Sequence, residues 1–206
     1  MMPLLLLLLA LLLAGCSTPP PPLVLAAQAD EFDSAPPTAR KYRATMTRED
    51  RLAFGLNAPI PVLAAQIHQE SNWNEQARSG VGAQGLAQFM PATARDFPDE
   101  RGEVQPYNPD WALRAQARYM KRLWDAVRYA DDCNRVGGAL ASYNGGLGWH
   151  NKRQALAATP GDYWNAVRPI NPGINAANQT ENAAYAPRIV RQLQPIYRTW
   201  GVTLCL

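Results

Sequence analysis

The sequence predicts a mainly α-helical domain, and three observations carry that expectation. Beyond Arg48, apolar residues recur at helical spacing in several stretches; no stretch alternates apolar and polar residues convincingly as a half-buried strand would; and Gly, Pro and Asn punctuate the helical runs. No tandem repeat is present.

One helix is expected from Pro61, where proline suits a first turn, through Leu63 and Ile67 to Glu70. The spacing of four and then three residues puts these on one face, so a carboxylate lies in line with an apolar stripe at the helix end, just before Ser71-Asn72-Trp73-Asn74. Such a placement raises its pKa. Gly80-Val81-Gly82-Ala83-Gln84-Gly85 is too rich in glycine for a helix and reads as a tight turn. Leu86 to Met90 follows, and Pro91 opens a short helix through Ala94. Asn108-Pro109 caps a longer helix whose apolar face runs Leu113, Ala117, Met120, Trp124, Val127. A further helix from about Asp132 sets Cys133, Val136, Leu140 and Asn144 on one side and stops at Gly145-Gly146, leaving Tyr143 and Asn144 at its end. Leu147 to Thr180 is expected mostly as loop, with one short helix from about Asp162 to Val167. A last helix carries Tyr185, Ile189, Leu193 and Ile196, with Pro187 near its start and Pro195 bending it.

A chain of 206 residues, 47% hydrophobic and 18% charged, can bury one respectable core. The net charge of +3 suits a polyanionic wall or membrane surface, and without a basic run it does not support nucleic-acid binding. His68 and His150 are the two histidines, which excludes a histidine-rich metal site and leaves few ways to build a Ser-His-Asp arrangement. Catalysis is expected to rest on carboxylates.

Met1 to Leu13 is a nearly unbroken leucine run, shorter than the roughly 20 apolar residues a membrane span needs, and it ends in Leu13-Ala14-Gly15-Cys16. This is a bacterial lipoprotein signal pattern: residues 1–15 are a cleaved leader, and Cys16 becomes the lipidated N-terminus. Ser17-Thr18 and the run Pro19 to Pro22 open a tether, drawn over residues 16–47, ahead of a catalytic domain over 48–206. Ser17 after the cysteine resembles lipoproteins sorted to the outer membrane, which implies periplasmic exposure. Cys133 and Cys205 remain as an even pair that an oxidising compartment would allow to join; two small buried hydrophobes are the alternative.

Cleaving a glycosidic bond needs a proton for the leaving oxygen and stabilisation of an oxocarbenium-like centre, usually from two carboxylates. One glutamate suffices if the sugar's own N-acetyl carbonyl and then an internal hydroxyl act as nucleophiles, because the same group can give a proton and later take one. It must then be protonated near neutral pH, and Glu70 at a partly desolvated helix end fits.

The neighbours of Glu70 are specific. Ile67-His68-Gln69-Glu70-Ser71, the run Gly85 to Ala94 (GLAQFMPATA), Ala141-Ser142-Tyr143-Asn144-Gly145-Gly146, and Glu181 to Ile189 around Tyr185 resemble the catalytic domain of soluble lytic transglycosylases, relatives of goose-type lysozyme. The four blocks stand in the family's order and span about Arg48 to Gly201. The resemblance implies Glu70 as the single acid and base, Ser71 holding or polarising substrate beside it, and Gln88 contacting sugar. Ala87 stands where the family usually has methionine, which suggests a roomier cleft wall. Asn144 would bind near the N-acetyl group, Tyr185 would lie close to Glu70, and Tyr143 would support the cleft from behind; packing roles for the tyrosines and a capping role for Asn144 stay open.

What the family implies is non-hydrolytic cleavage between N-acetylmuramic acid and N-acetylglucosamine, leaving a 1,6-anhydro ring, with no metal or cofactor. The implied fold is lysozyme-like α+β: a mostly helical lobe with a substrate cleft and a small irregular or β element around Gly80 to Gln105. The implied partners are peptidoglycan glycan strands and, through Cys16, a membrane. A muramidase-type hydrolase is the nearest rival and needs a second carboxylate, for which Glu75, Asp96 and Asp99 are nearest in sequence. A catalytically inactive wall-binding lipoprotein is a rival from another class, and local wall opening for a secretion, conjugation or phage assembly is a further role.

Overall fold

The computed structural model describes residues 33–206. The leader, Cys16 and the tether up to residue 32 lie outside the described residues. Eight α-helices follow in order: α1 (Pro37–Arg40), α2 (Arg43–Phe54), α3 (Ile60–Ser71), α4 (Pro91–Ala94), α5 (Pro109–Ala126), α6 (Asp132–Gly145), α7 (Leu147–Leu156) and α8 (Ala176–Pro187). A π-helical turn (Tyr163–Val167) precedes α8, and a π-helical stretch (Arg188–Leu193) and a 3-10 stretch (Gln194–Trp200) continue from it.

The central element is α3. Every residue from Ile60 to Ile67 is buried, as expected of a helix packed on all sides. It packs against α2 and against both stretches that follow α8, while α6 lies against α5, α7 and α8. The end of α3 is sharp: Asn72 and Trp73 both take positive φ, 49° and 63°. A bulky residue is rarely found there. Trp73 is held in place by stacking on Tyr42 at 5.6 Å and by donating from Nε1 to the Tyr197 hydroxyl at 2.7 Å. Glu70 therefore sits on the last turn of a buried helix whose C-terminal end is held by packing.

Several expectations need correction. The folded unit starts before Arg48: Ala35, Ala39, Tyr42 and Met46 are core residues, so the stretch 33–47 is packed structure rather than tether. The buried residues of α2 are Met46, Glu49 and Asp50, a stripe diluted by carboxylates, which hides the helix from a search for apolar periodicity. Likewise α7 occupies part of the stretch read as loop. Its buried residues are His150 and Arg153, polar groups that reach tertiary partners: Nε of Arg153 donates to the Ile170 carbonyl at 3.1 Å and Nη2 to Gln179 at 2.8 Å, and Nε2 of His150 lies 3.3 Å from the Tyr129 hydroxyl.

Pro187 ends α8 instead of standing near a helix start. Having no N–H, it leaves the Ala183 carbonyl without its helical partner. Nη1 of Arg168 donates to that carbonyl at 3.3 Å, and the Arg188 N–H reaches both Ala184 and Tyr185 carbonyls as the winding loosens into the π stretch. The small β element reduces, among the described residues, to two isolated antiparallel bridges, Arg78 with Gln84 and Gln84 with Phe89. Cys133 and Cys205 are disulfide-bonded, Cα atoms 5.1 Å apart, tying the C-terminal tail to the first turn of α6. The Gln194 side chain holds the same tail through two 2.8 Å hydrogen bonds with the backbone of Leu204.

Candidate active site

Glu70 is half-buried at the end of α3, and a cavity of about 250 Å³ opens over it, lined also by Gln69, Asn144, Glu181, Ala184, Tyr185 and Arg188. The structure thus brings together Glu70, Asn144 and Tyr185, three of the residues singled out from sequence. The Tyr185 hydroxyl donates to a Glu70 carboxylate oxygen. Burial pushes the Glu70 carboxyl up to about 7; the Tyr185 hydrogen bond opposes that rise, and the nearby Glu181 charge adds to it. The Tyr185 phenol itself is held well above its usual range by burial and by the adjacent Glu70 charge.

Behind Tyr185 runs a buried amide chain that sequence reasoning missed. Nε2 of Gln66 donates to the Tyr185 oxygen and to Sδ of Met120, each at 3.4 Å. Nε2 of Gln116 donates to Oε1 of Gln66 at 2.7 Å and to the Leu63 carbonyl at 3.2 Å. These donors fix which way each amide faces, so the Tyr185 oxygen accepts and its proton points at Glu70. The signal available was a glutamine inside an apolar run, as in Leu63-Ala64-Ala65-Gln66-Ile67.

Asn144, at the end of α6, donates from Nδ2 to Glu181 at 3.2 Å and accepts at Oδ1 from Asn182 at 2.8 Å. Its amide is thereby locked across to α8. Glu181 opened the last matching block but was given no role; it is the acid that shares the cavity with Glu70. The three acids named as possible second carboxylates are engaged elsewhere. Glu75 pairs with Lys41 at 2.8 Å and accepts from Tyr42, Asp96 pairs with Arg122 at 3.2 Å, and Asp99 accepts the backbone N–H groups of Arg101 and Glu103.

The remaining candidates stand off the cavity lining. The Ser71 hydroxyl donates back to the Ile67 carbonyl at 3.3 Å. Gln88, at φ 48°, donates from Nε2 to the carbonyls of Ala77 and Gly85 at 3.2 and 2.9 Å, bracing its own loop. Ala87 is fully buried, so it forms no cleft wall; its carbonyl accepts from the Tyr143 hydroxyl at 2.7 Å. Through that bond, and through ring contacts with Tyr119 at 5.0 Å and Phe89 at 6.1 Å, Tyr143 joins α6 to the loop carrying Gln88.

The site is a carboxyl pushed up to about 7 in a cavity of a mostly helical fold, and the comparisons show the family. Residues 54–165 match the transglycosylase SLT domain, and the chain belongs to that family. A membrane-bound lytic murein transglycosylase F of Shewanella halifaxensis is 33% identical over 114 residues, 53% of this chain and 23% of that protein. The 70 kDa soluble lytic transglycosylase of Escherichia coli superposes with a TM-score of 0.58 at 22% identity, over 77% of this chain and 24% of that one. An inactive Glu-to-Gln mutant of the lytic transglycosylase Slt of Pseudomonas aeruginosa superposes at 0.50 with 25% identity, over 76% of this chain and 25% of that one. This chain spans about a quarter of the length of these relatives.

Proposed function

We propose that the protein is a peptidoglycan lytic transglycosylase that cleaves the β-1,4 bond between N-acetylmuramic acid and N-acetylglucosamine without water. The observation that carries this reading is the Glu70 carboxyl, pushed up to about 7 in a cavity it shares with Asn144 and Tyr185. Protonated Glu70 gives its proton to the glycosidic oxygen as the bond to the muramoyl C1 breaks, and the N-acetyl carbonyl oxygen bonds to C1 in its place. The Glu70 carboxylate then takes the proton of the C6 hydroxyl, whose oxygen closes on C1 and expels the N-acetyl oxygen. The 1,6-anhydro ring is formed and Glu70 is protonated again. The Tyr185 hydroxyl occupies one carboxylate oxygen throughout and steadies the charged form between the two steps. Asn144, its amide locked by α8, stands where the N-acetyl group would be held. The inactive mutant of the P. aeruginosa relative, in which Glu is replaced by Gln, supports a required glutamate.

Glu181 in the same cavity favours one second reading, a lysozyme-like hydrolase that activates a water. Mass spectrometry of products released from purified peptidoglycan, by the protein and by its Glu70→Gln variant, separates the two. Anhydro-muramoyl products made only by the unaltered protein establish the transglycosylase; products heavier by one water establish the hydrolase. No release with glycan binding intact would make the protein a wall-binding lipoprotein.

The setting we infer is the bacterial periplasm, with residues 1–15 as leader, Cys16 as the lipidated residue and the outer membrane as the anchor surface. The Cys133–Cys205 disulfide supports an oxidising compartment. Partners on this reading are glycan strands and the membrane, with local wall opening for a secretion, conjugation or phage assembly as the wider role.

A further inference from the structure

A second groove, of about 350 Å³, adjoins the Glu70 cavity: Asn144 and Glu181 line both. Trp149 of α7 and Asn178 of α8 also line it. Trp149 is 42% exposed, an unusual state for so large an apolar side chain inside a concave site, and Val81, 79% exposed, lines the same groove. Neither side chain contributes to the core. Trp149 lies in the ten-residue helix α7 that sequence reasoning took for loop, and no role falls to it in the chemistry at Glu70.

We propose that this groove is a saccharide subsite, in which Trp149 is the stacking platform for a further pyranose ring of the strand held at Glu70. The proposal rests on the glycan-cleaving reading above. A polymer whose scissile bond lies at Glu70 must leave the cavity along a surface, and this groove borders the cavity at two shared side chains. A pyranose presents axial C–H groups on one face and hydroxyl and amide groups around its edge. The electron-rich face of an indole meets the first, and a rigid ring costs little ordering entropy on contact. The amide of Asn178 and the carboxylate of Glu181 supply donor and acceptor groups for the second. The Lys152 ammonium, 5.2 Å from the Trp149 ring centroid, helps hold the indole. Trp149 is on this account a specificity-determining residue that rewards strand length.

The test is calorimetric binding of chitotriose, chitohexaose and peptide-bearing muropeptides to the purified protein and to Trp149→Ala and Trp149→Phe, with circular dichroism as a check on folding. The unaltered protein should bind the hexamer more tightly than the trimer. Trp149→Ala should lose about three- to tenfold in hexamer affinity and little for the trimer, with Trp149→Phe recovering most of the loss. Equal hexamer binding by the alanine variant overturns the subsite while leaving the function standing. Loss confined to peptide-bearing muropeptides, with chitohexaose unaffected, assigns the groove to the stem peptide and also overturns it. Failure of the unaltered protein to bind either oligosaccharide or peptidoglycan removes the underlying functional reading instead.

Discussion

The Tyr185 hydroxyl donates its hydrogen bond to the Glu70 carboxylate across a sequence separation of 115 residues. That bond favours the charged carboxylate and works against burial, which favours the neutral acid. Removing it in Tyr185→Phe should move the Glu70 pKa above about 7. The alkaline limb of the pH–rate profile on purified peptidoglycan should then shift to higher pH while the maximal rate falls, because the intermediate carboxylate loses its donor. A limb that stays put or moves to lower pH contradicts this assignment.

Glu70 also makes stability depend on pH in a definite sense. Its folded pKa of about 7 exceeds the ordinary 4.5, so between those values the folded state holds more proton than the unfolded one and stability falls as pH rises. Glu70→Gln removes this loss. Denaturant titrations should show the variant more stable than the parent by about 3 kcal/mol at pH 8 and little different near pH 4. A uniform offset at both pH values would mean that the carboxyl is not titrating in this range.

Gly85 starts the loop that carries Gln88. It stands at φ 71°, and a Cβ there would lie 1.7 Å from the Pro106 carbonyl oxygen, a backbone atom that cannot swing away. Gly85→Ala is expected to cost several kcal/mol, on the order of 3 or more, through collision and backbone strain together. Thermal unfolding within a degree or two of the parent would show that the two loops can part freely.

The Cys133–Cys205 bond closes a loop with a sequence separation of 72 residues, and in a chain-entropy account is worth about 4 kcal/mol. Replacing both cysteines by serine should lower the unfolding midpoint sharply. Because α3 and the Glu70 cavity lie away from the bond, activity per folded molecule at low temperature should be retained. Loss of turnover in a demonstrably folded double variant would place the tail in the active site.

Cys16→Ala should abolish incorporation of labelled fatty acid and leave the protein either soluble in the periplasm or unprocessed in the inner membrane. Labelling that persists in the variant removes the lipoprotein reading.

Most of the core helices could be read from sequence because their burial is apolar and regular: α3, α5 and α6 each present an unbroken stripe and a recognisable start or stop. Where burial is polar the reading failed. His150 and Arg153 in α7, and Glu49 and Asp50 in α2, are buried without an apolar pattern around them. Glu70, Asn144 and Tyr185 were legible through their local motifs, and all three line one cavity. Gln66, Gln116 and Glu181 act through partners distant in sequence, and no local pattern announces such pairings. Ala87 shows the converse error, a motif position assigned to the cleft whose side chain faces the core.

The position of α3, early in the chain yet enclosed by its last helical stretches, has a consequence for timing. A polypeptide still emerging, or clipped before Tyr185, carries Glu70 on a helix with much of its packing surface bare and no phenol beside the carboxylate. The desolvation that raises the Glu70 carboxyl is then complete only when those stretches have docked on α3, so the acid's chemistry is set by contacts between distant parts of the chain.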